Sequence, residues 1–104
     1  MKICVTSQGK DLNSEIDSRF GRCSYFIFYD TDTMEYEVVE NPWKEASGGA
    51  GIQAAQLVVS KGVKYVITGK LGPNAENVVT AAGISVINKS GKISEILKEI
   101  KKSL

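Results

Sequence analysis

The sequence predicts an α/β domain built on a five-stranded mixed sheet, and three observations predict it. Short apolar runs alternate with stretches of helical periodicity in the order βββαβαβα. One run, Tyr65-Val-Ile67, has no polar alternation, the mark of a parallel strand covered on both faces. The 104 residues suit one domain, residues 1–104, and no repeat, linker or low-complexity segment divides them.

Lys2-Ile-Cys-Val-Thr6 reads as the first strand, with Ile3 and Val5 on one face and Cys4 on the other. The polar stretch Ser7–Arg22 follows, with turn formers Gly9, Asp11, Asn13 and Gly21. Connections of this length are functional or mobile. Tyr25–Tyr29 and Glu35–Glu40 form a hairpin about the turn Asp30-Thr31-Asp32-Thr33. Tyr36 and Val38 alternate with Glu35 and Glu37, which marks a half-exposed edge. Asn41-Pro42 ends that strand, because proline cannot donate to a ladder.

Gly48-Gly-Ala-Gly51 opens a helix that runs to about Lys61 and stops at Gly62. Its Ile52, Ala54, Ala55, Leu57, Val58 and Val59 lie on nearly all sides, so it is expected to be largely buried. After the strand at 65–67, Gly72-Pro73 starts a second helix, with proline at the first position, where its missing N–H costs nothing. That helix ends at Ala82-Gly83, and Ile84-Ser-Val-Ile87 is the fifth strand. The last helix carries Ile93, Ile96, Leu97 and Ile100 at i, i+3, i+4 and i+7.

A meander of three strands leaves strand 3 parallel to strand 1, with strand 2 antiparallel between them. The first helix carries the chain to a strand 4 beside strand 1, and residues 64–88 form a right-handed βαβ unit. The sheet order is then 3-2-1-4-5. In this arrangement the loops after strands 1, 3 and 4 emerge at one end, together with Cys23. Open α/β sheets place their ligands at the carboxyl ends of parallel strands.

Two helix starts face that end, Gly48-Gly49-Ala50-Gly51 and Gly72-Pro73-Asn74. Each offers unpaired backbone N–H groups and about half a positive charge from the helix dipole. Arg19, Arg22, Gly69 and Lys70 sit on the same loops. The expected site is positive, rich in donors and without carboxylates at its centre, and it should bind an anion. The glycines fit neither G-x-G-x-x-G nor a P-loop. Arg22 is expected to lower the pKa of Cys23 and favour its thiolate, whereas Cys4 reads as a small core residue. Phe20 should anchor its loop, and Trp43 should pack against the first helix or a partner subunit.

Composition narrows the function. The chain is 42% hydrophobic with a net charge of +1, which gives no reason to expect nucleic-acid or membrane binding. The charge is unevenly placed: residues 1–52 hold five Lys/Arg against nine Asp/Glu, and residues 53–104 hold eight against three. With no signal-peptide core and no apolar run of bilayer length, the expected location is the cytoplasm, with both cysteines reduced. No histidine is present, which removes Ser-His-Asp and Cys-His nucleophiles and the commonest zinc ligand. Strand 1 lacks the clustered carboxylates of two-metal nucleases, and Asp30 lies at the far end of strand 2. The protein is not expected to be an enzyme.

Four motifs, Arg19-Phe-Gly-Arg22, Glu40-Asn-Pro42, Gly48-Gly-Ala-Gly-Ile-Gln-Ala-Ala55 and Thr68-Gly-Lys-Leu-Gly-Pro-Asn74, occur in this order across nearly the whole chain. Together they resemble the dinitrogenase iron–molybdenum cofactor biosynthesis family. The resemblance implies a ribonuclease-H-like α/β fold. It also implies a carrier or scaffold for an iron–sulfur or molybdenum-containing sulfide cluster, exchanged with cluster-donor or acceptor proteins. Members that serve nitrogenase tend to have His-Phe-Gly where this chain has Arg19-Phe20-Gly21, and that histidine is implicated in cluster binding. Arginine does not ligate a metal, but it pairs with an anionic cluster. Such members can also carry a cysteine at the place of Cys23, which is therefore the implied metal ligand. One small member holds a molybdenum–copper sulfide cluster largely without covalent protein ligands, a mode that suits this sequence.

The expected cluster site comprises Arg19, Phe20, Gly21, Arg22, Cys23, Gly48, Gly49, Ala50, Gly51, Gly69, Gly72 and Asn74. The alternative reading is a regulatory module that binds a phosphate-bearing metabolite at the same helix starts. The expected assembly is a monomer or weak dimer.

Overall fold

The structure is a computed structural model, and it describes residues 1–103. Five strands, β1 (Lys2–Ser7), β2 (Tyr25–Asp30), β3 (Tyr36–Glu40), β4 (Tyr65–Thr68) and β5 (Ser85–Asn88), form one sheet in the order β3-β2-β1-β4-β5. β1 pairs antiparallel with β2 and parallel with β4, so the predicted topology is the observed one. Three helices complete the chain: α1 (Ala50–Ser60), α2 (Pro73–Ala81) and α3 (Ile93–Ser103). No helix among the described residues is long and apolar enough to cross a membrane.

The pleat of the sheet divides the core in two. On one face Cys4, Phe26, Phe28 and Val66 pack against Ala54, Ala55 and Val58 of α1 and Ala75 and Val79 of α2. On the other, Ile3, Val5, Ile27 and Ile67 meet the α3 stripe of Ile93, Ile96, Leu97 and Ile100. Alternate residues of one strand face opposite layers, which is why Ile3 and Cys4 belong to different clusters.

Two expectations change. α1 is not buried all round: Ile52 and Val59 are exposed, and only the Ala50, Ala54, Ala55 and Val58 face is buried. Small side chains on that face let the helix lie close to the sheet. The expected loop at 7–22 is also no mobile excursion. Ser7 bridges Ile16, Asp17 N–H donates to Thr6 O at 2.9 Å, and Ile16 N–H donates to Gly91 O at 2.8 Å. Ile16, Asp17 and Phe20 are buried.

Candidate functional site

The second half of the first loop carries the site. Phe20 inserts into the α1–α2 core, 2% exposed, and meets Phe26 edge-to-face with ring centroids 6.1 Å apart. Full burial of such a ring contributes about 1.5–3 kcal/mol, so Phe20 is the loop's anchor, as the sequence predicts. Arg19 bridges Lys70 in a parallel sense, and Phe20 N–H donates to Lys70 O at 3.2 Å. Gly21 lies directly on the start of α1, where a Cβ would come within 2.8 Å of Gly51 Cα and N. The three loops that the topology was expected to gather are therefore in contact.

Between them lies a pocket of about 300 Å³, lined by Phe20, Gly21, Gly49, Gly51, Ile52, Gly72, Pro73, Asn74 and Ala75. The first turns of α1 and α2 both open into it, and neither helix has a side-chain N-cap. Gly49 sits at φ +73, a left-handed conformation that suits glycine. The start of α3 differs: its Ile93 and Ser94 N–H groups donate to Ser14 O at 3.0 Å and Leu12 O at 2.8 Å. Its helix start is thus closed by the first half of the loop. The other two present free amide donors and the positive ends of their dipoles to one cavity. Beside this pocket, Arg19, Arg22 and Lys70 line an adjoining depression with Ser18 and Gly72.

Not every expected residue faces the pocket. Gly48 and Gly69 line neither hollow, and Ala50 is buried at the base of α1. Gly69 is a packing glycine, because a Cβ there would lie 2.6 Å from Ser18 Cα. Arg22 lines the adjoining depression, yet its Nη1 is used to hold the following loop: it donates to Lys44 O at 3.1 Å and to Ala46 O. Arg19 remains exposed at 59%, with its Nε 3.4 Å from Asp17 Oδ1.

Cys23 requires a correction. Its thiol is fully buried in the core cluster that holds Cys4. Its pKa is not lowered by Arg22 but pushed up from 9.0 to about 12, by desolvation first and then by the nearby Asp17 carboxylate. The Asn41 amide, which reaches Sγ at 3.9 Å, offsets this in part. No Asp or Glu lines the pocket or the adjoining depression, as expected, but one carboxylate is buried close by. Asp17, 3% exposed, lies beneath the loop and accepts from Arg19 N–H at 3.0 Å and Ser24 N–H at 3.3 Å. A tight buried loop must satisfy its amide groups, and this side chain does so.

Asn41 is the second residue that the sequence did not single out for the site. Its Nδ2 donates to Gly21 O at 3.0 Å and Cys23 O at 2.9 Å, while its Oδ1 accepts from Trp43 N–H at 2.9 Å. The available signal is an Asn-Pro pair at a strand end, where Asn commonly bonds backbone two residues on. Ile52, Pro73 and Ala75 add apolar walls to the pocket.

The donor set decides what the pocket can hold. Among the described residues no three His, Cys, Asp or Glu side chains stand together as a metal-binding group, and the protonated Cys23 has no access to the cavity. Amides and nearby cations can hold an anion that arrives with its own ligands. They cannot complete the coordination of a bare metal ion.

The apo form of the orange protein from Desulfovibrio gigas is 35% identical and superposes with a TM-score of 0.92 over 98% of this chain and 88% of that one. A NifB-like protein from Thermotoga is 39% identical, with a TM-score of 0.83 over 97% of this chain and 87% of that one. No curated protein matches the sequence. The family model described as dinitrogenase iron-molybdenum cofactor matches residues 1–103. With a match of that extent, and with relatives this similar over almost their whole length, the chain belongs to the dinitrogenase iron–molybdenum cofactor family.

Proposed function

We propose that the protein binds and carries a preassembled, anionic metal–sulfur cluster of the iron–sulfur or molybdenum-containing class, receives it from and delivers it to partner proteins, and catalyses no reaction. The cluster is cargo, held by hydrogen bonds and charge in the pocket between the starts of α1 and α2. The observation that carries this reading is the pairing of two uncapped helix N-termini on one cavity that no thiol or imidazole can reach. Phe20, Ile52, Pro73 and Ala75 give the cavity apolar walls. Such walls favour a large anion of low charge density, whose desolvation costs less than that of a compact phosphate.

Anaerobic incubation with tetrathiomolybdate, with and without copper(I), and separately with iron and sulfide, tests the proposal after gel filtration by absorption spectra and metal analysis. The expected result is a coloured species that stays with the protein. Asn74→Asp sharpens the test. A carboxylate in the first turn of α2 stabilises the helix by about 0.3–1 kcal/mol, yet repels an anion in the pocket. The variant should therefore fold at least as well as wild type and retain less cluster, whereas Cys23→Ala should retain as much. Failure to retain any metal sulfide, or equal retention by Asn74→Asp, would overturn the reading. Preferential retention of inorganic phosphate would replace it with the metabolite-binding alternative.

A further inference from the structure

A second cavity, of about 230 Å³, lies on the opposite face of the sheet, between α3 and the β2–β3 turn. Its walls are carbon: Ile3 from β1, Tyr29 from β2, Leu12 from the first loop, and Leu97 and Ile100 from α3. No Asp or Glu lines it, but Lys98 and Lys101 do. They are three residues apart on α3, so they stand on one side of the helix, one turn from each other. Among the described residues neither forms an ion pair. Asp32, which shares a neighbouring depression with Lys101, is held at 2.7 Å by the Met1 amino group.

The mouth of this cavity carries an independent anomaly. Met34 is 61% exposed and has φ +65, the one non-glycine residue with positive φ among the described residues. The turn is fixed by Met34 N–H donating to Asp30 O at 2.8 Å and Asp30 N–H donating to Glu35 O at 2.9 Å. Glycine or asparagine would occupy this left-handed position with less strain. Instead the turn presents an unbranched, polarizable apolar side chain to water, and Met34 lines the cavity. A strained residue holding an adaptable side chain over an apolar hollow is an arrangement expected of a ligand contact.

We infer that this cavity binds a small amphipathic carboxylate. Its hydrocarbon portion lies against Ile3, Tyr29 and Ile100, its carboxylate meets Lys98 and Lys101, and Met34 closes over it. The volume suits this class, since a cavity of about 150 Å³ accepts benzene. The space here admits a chain of roughly eight carbons or a ring bearing a short acid arm. The two lysines select an acid over the corresponding alcohol, and the carbon walls select it over a hydrophilic anion. This site is separate from the pocket at the α1 and α2 starts, so it stands or falls independently of the cluster proposal.

Two-dimensional ¹⁵N–¹H NMR titrations with octanoate, 1-octanol and inorganic phosphate test the inference. Octanoate should give saturable shifts at the amides of Tyr29, Leu97 and Ile100, with 1-octanol binding roughly 10-fold more weakly and phosphate leaving these amides unmoved. The double variant Lys98→Gln/Lys101→Gln, which changes only the cavity's charged lip, should reduce octanoate to the affinity of octanol. Met34→Gly should weaken both ligands by a similar factor. The inference is overturned by any of four outcomes: no saturation below the micellar range of octanoate, equal affinity for octanol, no effect of the lysine substitutions, or shifts confined to the first turns of α1 and α2. Slower translational diffusion on adding octanoate, with the same shifts, would assign the face to a second copy of the chain and overturn it too.

Discussion

Replacing Gly21 with alanine probes the contact that brings the loop and α1 together. A Cβ at this position would lie 2.8 Å from Gly51 Cα, 2.8 Å from Gly51 N and 3.1 Å from Ala50 C. All three are backbone atoms, so no rotamer change relieves the overlap. Restoring an ordinary contact of 3.4 Å moves loop and helix apart by about 0.6 Å. The loop resists that movement, because Phe20 is anchored in the core and Gly21 O is bonded to Asn41 Nδ2 at 3.0 Å. Overpacking of this kind costs about 1–3 kcal/mol. At about 4–8 °C per kcal/mol for a domain near this size, Tm should fall by roughly 5–20 °C. Guanidinium unfolding followed by the fluorescence of Trp43, the only tryptophan, and by circular dichroism measures the change. Gly51→Ala is the control: its Cβ meets only Ala75 Cβ at 3.5 Å, and alanine is favoured over glycine within a helix by about 0.5–1 kcal/mol. An unfolding midpoint for Gly21→Ala equal to wild type, or a larger loss in Gly51→Ala, would refute this account of the contact.

Three further outcomes follow from the same geometry. The Cys23 thiol, pushed up from 9.0 to about 12 by burial, should resist thiol reagents at pH 8 until the chain unfolds. Because the folded state holds that proton more tightly, the stability it contributes is complete below pH 9 and is lost between about pH 9 and 12. Three units correspond to about 4 kcal/mol; unfolding curves at pH 8 and pH 10.5 should show the decline, and Cys23→Ala should make it shallower, the buried Cys4 thiol, also raised well above 9.0, accounting for the remainder. Asn41→Ala removes bonds to Gly21 O, Cys23 O and Trp43 N–H and should cost about 2–4 kcal/mol by denaturant titration, with faster amide exchange at 43–46. Asp17→Ala leaves the Arg19 and Ser24 amides without their acceptor; a loss of about 2–3 kcal/mol is expected, and Asp17→Asn should restore part of it.

What the sequence discloses depends on whether a feature is periodic. The alternation of Ile3 and Val5 with Cys4, the uninterrupted Val66-Ile67 and the α3 stripe each encode which surfaces meet, and from them the strand order and the convergence of the 19–21, 49–51 and 72–74 segments follow. Apolar identity without period does not say which face is buried, so α1 was expected to be more enclosed than it is. The roles of Asp17 and Asn41 depend on amides that only the folded loop brings near. Arg22 and Cys23 show the same limit at closest range. They are adjacent in the chain, yet one side chain reaches across to the 44–46 carbonyls while the other turns into the core. The charge of one therefore does little for the other.

The division of the first loop has an engineering consequence. Residues 8–15 are tied to Gly91–Ser94 on the α3 side, while 18–23 rest on α1 and on Gly69 and Lys70 just after β4, and the crossing between them is clamped to β1 at Ile16 and Asp17. The clamp makes the two halves separately editable. A fluorophore or short peptide tag grafted at the exposed Asn13 should leave cargo uptake intact, and a one-residue deletion between Ser18 and Arg22 should abolish it.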